Sequence, residues 1–130
     1  MSYAAVNGIW MYYEEHGSGQ PLILLHGGYA TSETSAAILP SLASGRRVIT
    51  VDLQGHGRTG SGDRPASFEG SADGVAALLE ELAVGPVDVL GFSNGGQVAL
   101  QLAARHPQTV HRLVVASAPF RRDGMVDGFW

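Results

Sequence analysis

The sequence predicts an α/β fold, with a mostly parallel sheet and flanking helices. Short apolar runs alternate with segments of helical periodicity along the 130-residue chain, which is the pattern of repeated strand-helix-strand units. The runs are Leu22–Leu25, Val48–Val51, Val87–Leu90 and Val110–Ala116. The first of them shows no apolar/polar alternation, as is typical of a strand covered on both faces. Glycine-rich segments follow the first three runs directly, and the carboxyl edge of such a sheet is where ligands bind.

The remaining elements follow from local signals. The first residues predict a hairpin, with strands Ser2–Val6 and Ile9–Glu15 joined by the tight-turn pair Asn7-Gly8. Three amphipathic or short helical segments are predicted at Thr34–Leu42, Ser71–Val84 and Asn94–His106. Pro107 ends the last of these, because proline lacks the N–H that a helix interior requires.

Composition excludes several classes of function. A hydrophobic fraction of 45% is typical of a globular protein, and we expect one domain over residues 1–130. The net charge of −4 gives no attraction to nucleic acid or anionic membranes. All eight basic residues are arginine and cysteine is absent, which excludes lysine Schiff bases, thiol nucleophiles and disulfides. With no signal-peptide pattern and no apolar run of ~20 residues, a cytoplasmic protein is expected.

The segment Gly91-Phe-Ser-Asn-Gly95 joins a predicted strand to a predicted helix. A G-x-S-x-G sequence in this setting is typical of a nucleophile elbow, which exposes the serine hydroxyl on a tight turn. Ser93 is therefore the candidate catalytic nucleophile, although a serine hydroxyl reacts poorly until a base removes its proton. The alternative is a tight turn that contains a serine by chance. The glycine spacing does not match the G-x-G-x-x-G of dinucleotide-binding proteins.

The segment His26-Gly-Gly-Tyr29 follows the first apolar run. Acyl transfer requires hydrogen-bond donors aimed at a developing oxyanion. The main-chain N–H groups of Gly28 and of Asn94 would form that pair. Tyr29 is a candidate to line the substrate pocket beside them. The alternative is a flexible loop with a structural histidine.

The segment Asp52-Leu-Gln-Gly-His-Gly-Arg58 follows the second apolar run. We predict that Asp52 and His56 hold this loop by local hydrogen bonds, as Asp and His do in glycine-rich turns. A metal site formed by Asp52, His56 and His26 is the alternative, but no H-E-x-x-H motif or His/Cys cluster supports it. We expect neither a metal nor a cofactor.

These three motifs, in this order and on these elements, resemble the N-terminal half of α/β-hydrolase-fold enzymes. The resemblance covers Tyr3 to Phe120 and is nearest to the esterase, enol-lactonase and non-haem-peroxidase-like group. It implies that Ser93 is the nucleophile and that the N–H groups of Gly28 and Asn94 form the oxyanion hole. It further implies hydrolysis of a small carboxylic ester or lactone through an acyl-serine, with no nucleic acid and no membrane as partner.

The sequence departs from that family after the serine. The family order is Ser, acid, His, with a lid inserted before the final strands, and this chain stops about where the lid would begin. The sequence therefore predicts a minimal or truncated core. His106 would lie roughly 18 Å from Ser93 at ~1.5 Å per helical residue, and His111 begins a strand at the opposite edge. His26 and His56 are left as in-chain candidates for the base, and Asp123 as the candidate acid.

Three explanations stay open for this departure. The chain is one half of a longer enzyme, or a complete small hydrolase that uses His26, His56 or a residue of a second subunit, or a non-enzymatic oligomerising scaffold. An apolar strand at Val110–Ala116 would be an unpaired edge, which favours association. We therefore expect a homo-oligomer or pairing with a complementing C-terminal half. Phe129 and Trp130 are candidates to cover part of this edge.

Overall fold

The computed structural model describes residues 2–125, which form a sheet of six strands in the order β1-β2-β4-β3-β5-β6. The strands are β1 (Ser2–Val6), β2 (Ile9–His16), β3 (Gln20–Leu25), β4 (Arg46–Val51), β5 (Val87–Phe92) and β6 (Val110–Ala116). Strands β4, β3, β5 and β6 are parallel, whereas β2 pairs antiparallel with both β1 and β4. The predicted α/β class with a mostly parallel sheet is confirmed.

The helices are α1 (Leu39–Ala43), α2 (Phe68–Glu81) and α3 (Asn94–Arg105), with single 3-10 turns at Ser32–Ser35, Pro107–Thr109 and Arg122–Gly124. The predicted continuous helix at Thr34–Leu42 is wrong: the chain forms a 3-10 turn and then α1. Proline tolerates only the first turn of a helix. Since Pro40 is the second residue of α1, the helix begins immediately before it.

Helix α2 begins three residues earlier than the sequence pattern indicates. Ser67 adopts an extended conformation, and its hydroxyl oxygen accepts a hydrogen bond from the N–H of Gly70 at 2.9 Å. This side-chain cap satisfies one of the otherwise unpaired donors at the helix start. Apolar periodicity begins only later in the helix, which is why periodicity alone places the start too late.

The core lies mainly between the sheet and helices α2 and α3, where 17 buried apolar residues form one cluster. On the other face, α1 covers a small cluster of Leu22, Leu24 and Val48. Leu24, Leu90 and Val114 lie side by side in register across β3, β5 and β6. Leu24 is 4% exposed, whereas Val114 is 57% exposed. This face is therefore covered at its centre and open toward β6.

Strand β6 pairs with β5 and forms one edge of the sheet. The described part of the chain thus has the edge strand that the sequence predicts. Phe129 and Trp130, the candidates to cover it, lie outside the described residues. No helix in residues 2–125 is long and apolar enough to cross a membrane.

Candidate active site

Ser93 occupies the turn between β5 and α3. Its backbone lies at φ +51° and ψ −114°, a region that costs free energy for a residue with a side chain. The N–H of Ser93 donates to the carbonyl of Ala116 at 2.9 Å, which fastens the turn to the end of β6. The Ser93 side chain makes no capping hydrogen bond to α3. The hydroxyl is therefore not used to stabilise the helix that it precedes.

The strained turn requires a glycine two residues later. A Cβ on Gly95 would overlap the carbonyl oxygen of Leu25, at the end of β3. The first turn of α3 therefore contacts the neighbouring strand through main chain alone. This contact sets the positive end of the helix dipole beside Ser93.

The loop after β3 passes directly over this turn. A Cβ on Gly27 would lie 3.6 Å from the Cβ of Ser93, and one on Gly28 would lie 3.7 Å from the Cβ of Asn94. Tyr29 follows with φ +56° and a fully exposed side chain. The two segments that were predicted to supply oxyanion donors are therefore neighbours in space.

A cavity of about 400 Å³ opens at this point. It is lined by residues from all three sequence motifs and from three further segments: Gly28, Tyr29, His56, Phe68, Ser93, Asn94, Gln97, Pro119 and Met125. A second cavity of about 440 Å³ adjoins it and shares His56, Phe68 and Asn94. The structure thus brings Ser93, Gly28, Asn94, Tyr29 and His56 together.

Four of the lining residues were not anticipated from the sequence. Gln97 lies four residues after Ser93, so helical spacing could have placed both on one side of α3. Phe68 follows the capping serine Ser67 as the first residue of α2. No local signal indicates Pro119 or Met125, because they reach the cavity only through the path of the chain after β6.

His26 is buried, and both of its ring nitrogens bond to main-chain groups. Nε2 accepts from the N–H of Leu53 at 2.9 Å, and Nδ1 donates to the carbonyl of Gly27 at 2.7 Å. Burial lowers the pKa of His26, while its hydrogen bond to the Gly27 carbonyl partly opposes that shift. The ring is therefore neutral near pH 7, and it joins the loop after β3 to the loop after β4.

His56 is placed differently. Nδ1 lies 3.0 Å from the carbonyl oxygen of Gln54 and donates to it, so Nε2 is the acceptor nitrogen of the neutral ring. The ring packs edge-on against that of His26, with centroids 5.1 Å apart. His56 lines the same cavity as Ser93.

The other candidate residues lie apart from this cavity. Asp123 accepts a hydrogen bond from Arg121, and both side chains are 69% exposed. His106 bonds to Asp73 at 2.7 Å and His111 bonds to Asp88 at 3.0 Å. Both histidines belong to the opposite end of the parallel strands, since one follows the end of α3 and the other is the second residue of β6.

The Asp52 carboxylate is fully buried in the loop after β4. Burial alone would raise its pKa. Hydrogen bonds from the Arg58 side chain and from the N–H groups of Arg58 and Ser32 outweigh burial and hold the pKa well below its usual range. Within residues 2–125, no three His, Asp or Glu side chains are grouped so as to bind a metal ion.

This combination of sheet, elbow and neighbouring glycine loop is that of a known family. The model for the alpha/beta hydrolase fold matches residues 20–126. The chain therefore belongs to the alpha/beta hydrolase fold family.

Its relatives in sequence and structure are hydrolases. The chain is 43% identical over 108 residues to pimeloyl-[acyl-carrier protein] methyl ester esterase of Aeromonas hydrophila, covering 82% of this chain and 41% of the relative. It is 34% identical to 2-hydroxymuconate semialdehyde hydrolase of Pseudomonas sp., covering 95% and 46%. Among solved structures, an esterase from Exiguobacterium antarcticum superimposes with a TM-score of 0.87 at 30% identity, covering 95% and 48%. The enol-lactonase from Burkholderia xenovorans gives a TM-score of 0.83 at 27% identity, covering 87% and 45%. The chain thus spans less than half the length of each.

Proposed function

We propose that this chain supplies the nucleophile and the oxyanion hole of a serine hydrolase that acts on a small carboxylic ester or lactone. The observation that carries the proposal is the strained, uncapped Ser93 at the floor of the 400 Å³ cavity, with the Gly27-Gly28 loop packed against it. The names of the relatives, which are esterases, an enol-lactonase and a semialdehyde hydrolase, support a substrate with an acyl carbon.

The proposed reaction proceeds through an acyl-enzyme. Ser93 Oγ forms a bond to the carbonyl carbon while its proton passes to a base, and the carbonyl oxygen becomes an oxyanion. The N–H groups of Gly28 and Asn94 donate to that oxyanion. The intermediate collapses as the carbon–oxygen bond to the alcohol breaks and the base returns the proton to the leaving oxygen. Water then attacks the acyl carbon while its proton passes to the base. The bond from that carbon to Ser93 Oγ breaks as the base returns the proton to Oγ, which releases the acid.

The identity of the base is the second part of the proposal. His26 already uses both ring nitrogens, so of the two in-chain candidates we assign the role to His56, whose acceptor nitrogen is Nε2. No acid is assigned, since Asp123 pairs with Arg121 on the surface. A histidine supplied by a second polypeptide is the competing source of the base.

Labelling with a fluorophosphonate, followed by intact-mass measurement, tests the nucleophile. We expect one adduct per chain in the wild type and none in Ser93→Ala. The matched control is Ser44→Ala, which changes an exposed serine at the end of α1 whose hydroxyl donates to the carbonyl of Ser41 at 2.8 Å, and it should label like the wild type. A folded wild-type protein that forms no adduct would contradict the proposal.

The rate of labelling tests the base. If His56 is the base, His56→Gln should slow labelling by about 100-fold or more, since general-base assistance contributes on the order of 10²–10⁴. His111→Gln, at the far end of the sheet, is the control. Unchanged labelling in His56→Gln would contradict the assignment of His56 as the base.

A second candidate function is favoured by the open face beside β6. Val114 and Phe92 are 57% and 54% exposed next to the edge of β6, which pairs with no strand but β5 within residues 2–125. We propose that this surface binds a second copy of the chain or a complementing C-terminal half. Such binding is expected both if the chain is half of an enzyme and if it is a non-enzymatic scaffold.

Sedimentation velocity at micromolar concentration tests this association. We expect a species larger than the monomer in the wild type and a shift toward monomer in Val114→Glu. Tyr3→Glu, at the other edge of the sheet, is the control. A wild-type chain that is monomeric at all concentrations tested would exclude self-association.

A further inference from the structure

The loop that carries Gly28 is fastened at both ends, and in both places the fastening groups come from the loop after β4. At its beginning, His26 Nε2 accepts the N–H of Leu53 at 2.9 Å. At its end, the N–H of Ser32 donates to Asp52 Oδ1 at 2.9 Å. The residues between these two anchors include Gly28 and the fully exposed Tyr29.

The second anchor is a built cluster of charged groups. Asp52, whose side chain is completely buried, accepts from the Arg58 main-chain N–H at 2.9 Å and from Arg58 Nε at 2.8 Å. Arg58 Nη2 then donates to the hydroxyl of Ser32 at 3.0 Å. Ser32 is thus held twice, through its N–H by the carboxylate and through its side chain by the guanidinium.

The Arg58 side chain also packs against an aromatic ring. Its guanidinium carbon lies 3.8 Å from the ring centroid of Tyr12, a side chain of β2 that is fully buried. A Cβ on Gly57, whose φ is +51°, would overlap Asp52 Oδ2 and lie 2.8 Å from Thr31 Cγ2. Glycine at this position therefore lets the two loops touch. We call Ser32, Asp52, Gly57 and Arg58 the loop clamp.

We propose that the loop clamp positions the main-chain N–H of Gly28 for the oxyanion, with Asp52 and Arg58 as its positioning residues. This inference rests on the proposed function, because it assigns a purpose to a donor of that same site. An oxyanion donor is effective only when it is fixed before the charge develops. Gly27 and Gly28 do not restrict their own backbone angles, since glycine is the conformationally freest residue. The rigidity must therefore come from the anchors on either side.

Two substitutions in the loop clamp should loosen the loop that carries Gly28. Lysine in place of Arg58 keeps the positive charge beside Asp52, but a single ammonium group cannot donate as a planar fork to the carboxylate and the Ser32 hydroxyl together. Asn in place of Asp52 would set an amide N–H against the donors of Arg58. Neither residue touches the cavity of Ser93, so a loss of reactivity would act either through the loop that carries Gly28 or through the loop after β4, which carries His56. Hydrogen exchange measured separately over the two loops tells these routes apart.

Two measurements on the full chain test the proposal: amide hydrogen exchange of the loop, and the fluorophosphonate constants kinact and KI. In Arg58→Lys and Asp52→Asn, we expect at least about tenfold faster exchange over residues 26–32, with α3 unchanged. We expect kinact to fall by about 10- to 100-fold, since small misplacement of a catalytic group has costs of this order, and KI to stay within about twofold. Asp73→Asn is the matched control. It breaks the Asp73–Arg105 pair, whose two hydrogen bonds of 2.8–2.9 Å lie at the opposite end of the strands, and should change neither quantity.

The outcomes separate this inference from the function on which it rests. Unchanged exchange over residues 26–32, equal acceleration there and in α3, or acceleration confined to the loop after β4 would overturn the positioning role. If the wild type does not label at all, the proposed function fails. In that case, faster exchange of the two variants that is confined to residues 26–32 still shows that the loop clamp holds this loop. If Asp52→Asn does not fold, Arg58→Lys, which keeps the buried carboxylate paired, decides the question.

Discussion

Both long helices of this protein begin immediately after a serine, and the two serines are used in opposite ways. Ser67 is extended and its hydroxyl caps α2 by accepting the N–H of Gly70. Ser93 has a positive φ and makes no cap for α3. Capping is worth about 1 kcal/mol, so α3 forgoes a stabilisation that α2 has. The difference shows where the fold favours an accessible hydroxyl over local stability.

The cost at Ser93 is offset by packing that α2 does not need. The first turn of α3 contacts the main chain of β3 at Gly95, and the elbow N–H bonds to Ala116 in β6. The buried glycine of α2 is in a different setting: a Cβ on Gly74 would approach only the end of the Met11 side chain, at 3.2 Å. Tertiary contacts hold one helix start, and a local hydrogen bond holds the other.

Alanine substitutions at these two glycines should give the greatest difference in stability between the two helices. Gly95→Ala should lower the free energy of unfolding by about 3 kcal/mol or more, because the overlapped Leu25 carbonyl cannot move without displacing β3. Gly74→Ala should be neutral or stabilising by up to about 1 kcal/mol, because alanine favours helix and the Met11 side chain can adjust. Urea denaturation at equilibrium measures both. Equal effects would contradict the main-chain contact that we describe.

Substitutions of the two serines should change the stability by smaller amounts and in opposite directions. Ser67→Ala should lower stability by about 1 kcal/mol through loss of the cap. Ser93→Gly should raise stability by about 1 kcal/mol, because glycine adopts a positive φ without strain. Thermal unfolding of the two variants and the wild type measures these shifts. A loss of stability in Ser93→Gly would show that the Ser93 side chain contributes to folding after all.

We expect a still weaker dependence of the free energy of unfolding on pH. Burial lowers the pKa of His26 in the folded chain, whereas an unfolded histidine titrates near ~6.5. The unfolded state therefore binds the proton first, and the free energy of unfolding should fall as pH drops from about 6.5 toward the lowered pKa. The nearest titratable groups are His56 and Asp52. Stability curves of wild type and His26→Gln, compared between pH 7.5 and 5, isolate this contribution, and parallel curves would contradict it.

Sequence patterns predicted the sheet well because β3, β4 and β5 each contain a short, mostly apolar run, interrupted only by Thr50 and Asp88. The same patterns misplaced helix boundaries, since these depend on single groups such as the Ser67 hydroxyl and Pro40. At the site, the sequence indicated Ser93, Gly28 and Asn94 as a set, and the structure brings their segments together. It did not indicate that Arg58 bonds to Ser32, because that contact joins residues 26 positions apart.

The contacts of Tyr12 indicate how far the chain can be shortened at its N-terminal side. The family match begins at residue 20 and leaves out the hairpin of β1 and β2. Yet the main-chain carbonyl of Tyr12, in β2, accepts the N–H of Asp52, and the N–H of Tyr12 donates to the Thr59 hydroxyl. The Tyr12 ring also packs against the guanidinium of Arg58. A chain trimmed to the family boundary would keep every residue of the elbow and lose the support of the loop beside it. A shortened form of this chain that is meant to keep the loop after β4 in place therefore has to include the hairpin.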